Sequence, residues 1–97
     1  SFKPNQTITR EEMIFMLSRI VNLDHLAKHK EKGDFNDLNR SYAAAEIVAG
    51  AQAGIVKGNG AGNFYPKSSA TRAEVVQVIL NVLEFNPQLK TALDSLT

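Results

Sequence analysis

The sequence predicts an all-α fold, a small bundle of three main helices plus a short C-terminal helix. Three observations carry this. Two stretches of helical apolar periodicity each follow a Thr-x-x-Glu start. A third stretch, residues 42–53, is rich in alanine and stops at Gly54. No alternating apolar run exceeds a few residues, so no extended strand is expected.

The first and last main helices belong to an internal repeat. Residues 2–21 (FKPNQTITREEMIFMLSRIV) align without a gap on residues 64–83 (FYPKSSATRAEVVQVILNVL), an offset of 62. Phe2 and Pro4 match Phe64 and Pro66; Thr9, Arg10 and Glu12 match Thr71, Arg72 and Glu74. In each copy the Thr hydroxyl is placed to accept from the third helical amide, and the Glu carboxylate to reach back to the cap amide. Ile8 with Met13, and Ala70 with Val75, have the spacing of a hydrophobic staple. Apolar periodicity carries these helices over about 9–22 and 71–84, each with an apolar stripe wide enough to pack into a core.

The intervening elements follow from composition. Residues 24–34 (DHLAKHKEKGD) are charged and read as an extension or successor of the first helix that passes into a loop at Gly33. A helix over about 41–53 carries small residues that let a neighbour approach closely, and Gly54 supplies its C-terminal cap. Residues 57–63 (KGNGAGN) form a glycine-rich turn. A closing helix over 86–96 starts with Asn86 as cap and Pro87 in the first helical position.

The bulk numbers exclude several function classes. The chain has 97 residues, so it is one domain or part of one, and it opens at Ser1 in what reads as mid-motif, as a fragment or processed product would. Its net charge of +1 is too balanced for nucleic-acid recognition through a basic face. No apolar run is long enough to insert in a membrane. The absence of cysteine removes disulfides, thiolate metal sites and cysteine nucleophiles. His25 and His29 share a helical face with Glu31 nearby, but no third and fourth ligand converge, so no metal and no cofactor is expected. The glycine turn lacks the Gly-Lys-Ser/Thr of a phosphate loop, and Glu11-Glu12 sits at a helix start with no cleft implied. The chain is therefore expected not to be an enzyme.

Residues 35–74 resemble one complete S-layer homology motif. Phe35-Asn36-Asp37 opens it, and Tyr42 begins a helix. Gly54-Ile55-Val56-Lys57-Gly58, a glycine-rich turn, Phe64-Tyr65-Pro66 and Thr71-Arg72-Ala73-Glu74 follow in the family's order. Residues 2–12 resemble the closing third of a preceding motif, with Thr-Arg-Glu-Glu for Thr-Arg-Ala-Glu. This divides the chain into residues 1–34, the end of one motif with its linker, and residues 35–97, one motif with the helices after it, together a single domain or domain fragment. The family's fold is a pseudo-threefold unit of three motifs, so about one and a third motifs form an incomplete one. The resemblance implies a secreted protein at the bacterial cell surface. Its role there is noncovalent anchoring through secondary cell-wall polysaccharide carrying pyruvate ketals. The other reading is a packing or oligomerisation fragment with no carbohydrate site of its own, which self-associates or uses neighbouring motifs to complete the bundle.

A pyruvate ketal presents a fixed carboxylate, which suits the fork of a guanidinium. Arg10 and Arg72 sit at helix N-termini, where the dipole disfavours a cation but favours an anion, and they are the expected carboxylate contacts. Lys57, Gly58 and Asn59 are expected beside the sugar, Tyr42 as a stacking ring that stands where the family more often has tryptophan, and Asp37 as an orienting group or a cap near residue 40.

Overall fold

A computed structural model describes residues 7–26 and 31–85, together with Thr91 and Ser95. Phe2, Pro4, His29 and, apart from Thr91 and Ser95, the closing helix expected over 86–96 lie outside the described residues. The architecture is helical: α1 (Arg10–Ser18), α2 (Leu23–Leu26), α3 (Ala44–Gln52) and α4 (Arg72–Leu83). Among the described residues the only extended pairing is one isolated antiparallel bridge, Thr9 with Ser69.

Both expected capping boxes form. Thr9 Oγ1 accepts from the Glu12 amide at 3.2 Å while the Glu12 carboxylate accepts from the Thr9 amide at 2.9 Å. The second copy repeats this, with 3.0 Å from the Glu74 amide to Thr71 Oγ1 and 3.3 Å from the Thr71 amide to the Glu74 carboxylate. These bonds favour the charged form of Glu12 and hold its carboxyl below the ordinary glutamate range, the backbone bond from Thr9 contributing most.

The first helix is shorter than periodicity suggests, ending at Ser18 rather than near Asn22. Ser18 Oγ donates to the Phe15 carbonyl at 2.6 Å, and the Arg19 and Ile20 amides bond three residues back, to Met16 and Leu17. These contacts tighten the last turn and release the chain. The chain then enters α2 (Leu23–Leu26), a separate short helix, with Asn22 Oδ1 accepting from the His25 amide at its start. The third helix begins at Ala44 rather than 41, because Ser41 Oγ takes the Ala43 amide into a turn.

At its far end α3 closes in a Schellman motif. The Gly54 amide donates to the Ala51 carbonyl at 3.0 Å and the Ile55 amide to the Gly50 carbonyl at 2.9 Å. Gly54 supplies the left-handed residue, with φ +76°. The motif turns the chain so that Ile55 and Val56 enter the core.

α3 packs against both α1 and α2. Its alanines and Gly50 permit this: a Cβ on Gly50 would already stand 3.2 Å from Val56 and 3.9 Å from Ile14 of α1 and Leu23 of α2. The core joins Met13, Ile14, Leu23, Ile47, Ile55, Phe64 and Val78, with Phe64, Ile14 and Ile47 fully buried. α4 is tied to the loop after α3, where Asn81 Nδ2 donates to the Ile55 carbonyl at 2.9 Å.

Two glycines of this loop respond differently to a methyl group. At Gly58 a Cβ would come within 2.5 Å of the Asn63 carbonyl oxygen and of the Phe35 ring; at Gly54 it meets nothing, and only the positive φ resists. Gly58→Ala should therefore destabilise by about 2 kcal/mol or more through steric conflict, and Gly54→Ala by about 1 kcal/mol through backbone strain alone. Urea unfolding of the two variants beside the parent checks the order.

Candidate functional site

The two repeat copies meet at their helix starts. The Arg10 and Glu11 amides donate to the Ser68 and Pro66 carbonyls at 2.8 and 2.9 Å, and the Ala70 amide donates to the Ile8 carbonyl at 2.7 Å. The first two helical amides of α1, expected to be open to an anion, are thus satisfied by the second copy. The side chains beside them reinforce the junction. Glu11, 4% exposed, accepts from Ser41 Oγ and from Lys67 Nζ, each at 2.8 Å.

Arg10 is built into this junction. Its Nε donates to the Phe64 carbonyl at 2.8 Å, Nη2 to the Lys57 carbonyl at 3.1 Å, and Nη1 pairs with the Glu74 carboxylate. The guanidinium also lies 4.3 Å above the Phe64 ring, a cation–π contact. Burial lowers its pKa from the ordinary value, and the charge of Asp37 raises it back in part. Arg72, its repeat equivalent, is exposed at the first residue of α4, and its guanidinium makes no hydrogen bond or ion pair with the described residues.

Asp37 holds the same segment from the other side. Its carboxylate accepts from the Phe64 amide at 2.9 Å and from the Tyr65 amide at 2.8 Å. It caps this turn rather than a helix near residue 40. With both amides on one carboxylate, Tyr65 adopts φ +59°, a left-handed conformation unusual for a bulky residue.

Between the Gly54–Asn59 loop, the Phe64-Tyr65 turn and α4 lies a groove of about 720 Å³. Lys57, Gly58 and Asn59 line it, with Arg10 and Glu74 forming part of the wall. Of the seven expected site residues it brings together Arg10, Lys57, Gly58 and Asn59. Arg72 and Tyr42 lie outside its lining, and Asp37 acts from behind it. Tyr42 is exposed and meets Phe15 edge-on, ring centres 5.3 Å apart; partial loss of water around the ring and the nearby charges of Glu12 and Glu11 raise its hydroxyl pKa.

Sequence reasoning does not single out four further lining residues, Tyr65, Ser68, Gln77 and Asn81. Only the spacing of Gln77 and Asn81, four apart on one helical face, hints at them. Gln77 Nε2 donates to Asn81 Oδ1 at 2.9 Å, and Asn81 in turn to the Ile55 carbonyl, so Gln77 presents its own carbonyl oxygen. Among the described residues no group of three or more His, Asp or Glu side chains could hold a metal ion, and no helix is long and apolar enough to cross a membrane.

Removing the Asp37 carboxylate strands two amides, so Asp37→Ala should cost about 2–3 kcal/mol in denaturant unfolding. Asp37→Asn, which keeps one acceptor oxygen, should cost less.

Comparison with known proteins places the chain. It matches the S-layer homology domain over residues 1–14 and 34–76. It is 36% identical over 77 residues to endo-1,4-beta-xylanase A of Thermoanaerobacterium saccharolyticum, covering 78% of this chain and 6% of that protein. To the amylopullulanase of Thermoanaerobacterium thermosulfurigenes it is 32% identical over 90 residues, 92% of this chain and 5% of that protein. To S-layer protein EA1 of Bacillus anthracis it is 26% identical over 100 residues, 99% of this chain and 11% of that protein. The chain thus spans about a twentieth of the length of the first two relatives. No solved structure matches it. The Phe-x-Asp turn clamp, the Gly-Ile-Val-x-Gly loop and the paired Thr-Arg-x-Glu helix starts belong to one noncatalytic module that binds cell-wall polymers at the bacterial surface, and this chain is a member of the S-layer homology domain family.

Proposed function

We propose that the groove between the Gly54–Asn59 loop and α4 binds secondary cell-wall polysaccharide, and that the polymer carries pyruvate ketals. One observation carries the reading: the groove's charge is unbalanced. Arg10 is paired with Glu74, whereas the Lys57 ammonium has no carboxylate partner among the described residues. The groove therefore carries a net positive charge beside neutral amides, which fits a sugar bearing one carboxylate. Arg10 contributes charge while its donors hold the wall in place. Gly58 and Asn59 bring backbone close to the sugar. The free guanidinium of Arg72 takes a second carboxylate of the same polymer, and the exposed ring of Tyr42 meets a further unit. Asp37 fixes the turn on which the groove is shaped. A single shallow site of this kind is weak, so anchoring rests on several sites engaging one polymer.

Calorimetric titration with purified polysaccharide, native and stripped of pyruvate, tests this. Binding to the native polymer alone supports the carboxylate contact, and Arg72→Ala should then weaken binding while leaving the unfolding midpoint unchanged. Equal binding to both forms keeps the anchor but removes the carboxylate from it.

A second reading, assembly with neighbouring motifs or another copy, is favoured by an asymmetry between the repeats. Ile14 of α1 is fully buried under α3, whereas its equivalent Val76 is 49% exposed, as are Ile79 and Leu80. Such a face suits a packing partner. Sedimentation at micromolar concentration should give a mass above the monomer; a clean monomer removes self-association.

A further inference from the structure

The described residues hold five positive-φ positions, and four of them are glycines: Gly33, Gly54, Gly60 and Gly62. The fifth is Tyr65. Glycine takes this conformation freely, whereas a bulky side chain resists it. The ring is not kept for the core. Tyr65 is 49% exposed, and neither of the ring pairs among the described residues includes it. It is nevertheless held firmly. The Asp37 carboxylate fixes its amide, and its hydroxyl accepts from Asn59 Nδ2 at 3.1 Å. Asn59 is itself pinned, since its Oδ1 accepts from the Ala61 and Asn63 amides at 2.9 and 3.1 Å. A disfavoured conformation that is over-determined by its surroundings and carries an exposed ring at a groove points to a contact outside the chain.

The neighbours specify its chemistry. Asn59, Gln77, Asn81 and Ser68 line the same groove. They present neutral donors and acceptors, the groups that read sugar hydroxyls. Because the Tyr65 hydroxyl already accepts from Asn59, its own hydrogen is left to donate outward. A pyranose chair matches both features, with an apolar C–H face for the ring and a rim of hydroxyls for the amides.

We propose that the Tyr65 ring is the stacking platform for one pyranose unit of the polymer, with Asn59 and Gln77 bonding hydroxyls at the edge of that sugar. This rests on the polysaccharide reading above and deepens it by naming the residue that selects a sugar face.

The test is titration of the purified cell-wall polysaccharide into the parent chain and into Tyr65→Gly, Tyr65→Asn and Tyr65→Phe, each with a thermal melt. Glycine and asparagine both accept positive φ, so these variants should keep or raise the melting midpoint. They should lose about tenfold in affinity, the scale of one aromatic contact. Tyr65→Phe should keep most of the binding. The chain has two tyrosines and no tryptophan, so in Tyr42→Phe the tyrosine emission belongs to Tyr65 and should change on saturation. A folded Tyr65→Gly that binds like the parent overturns the platform and leaves the polysaccharide reading standing. A folded parent that binds no polysaccharide overturns both.

Discussion

The backbone of Phe64 is the point on which the rest of the structure depends. Its amide is held by Asp37, its carbonyl by Arg10 Nε, and its ring is fully buried between the Arg10 guanidinium and Phe35. Backbone polar groups inside a protein must find partners, and here both partners are charged side chains from distant segments. The backbone of one residue therefore locks three parts of the chain together: the motif opening at 35–37, the turn at 64–66 and the helix start at 9–12. The left-handed Tyr65, the wall of the groove and the close approach of Gly58 to Phe35 all follow from where Phe64 is fixed.

The same junction explains an arginine in an electrostatically poor place. A cation at the first helical residue opposes the helix dipole. Arg10 offsets that with three hydrogen-bonded contacts and an aromatic face, each of them on the following motif. Arg72 occupies the equivalent position without those partners. One residue in one local setting thus serves as a clamp in the first copy and stands free in the second. The difference lies in what packs over the helix start, and Ile14 against Val76 shows the same contrast in apolar terms.

Anchoring asks for little chemistry from such a module. In the binding mode proposed above, a groove, the Lys57 cation and a few oriented amides make one weak contact, and repetition along a polymer supplies retention. Stability can then be concentrated at the junctions between copies, where Glu11 meets Ser41 and Lys67 and where first-turn amides meet the carbonyls of Pro66 and Ser68.

By itself the sequence determined the local events. Both capping boxes, the glycine stop after α3 and the apolar faces of α1 and α4 depend on residues within a turn or two of each other, so spacing alone specifies them. The family was legible for the same reason, since its motif is a string of such local signals in order. Tertiary structure decided what each polar side chain is for. Asp37 reaches 27 positions along the chain to Phe64, and Arg10 reaches 64 to Glu74. Neither partner is visible in spacing, because long-range contacts depend on how helices stack. The same stacking made Tyr65 a groove residue and left Tyr42 outside, though both are single aromatics beside a turn in the sequence. Local hydrogen bonds close within a few residues and can be read in order; the groove exists only once distant segments meet at Phe64.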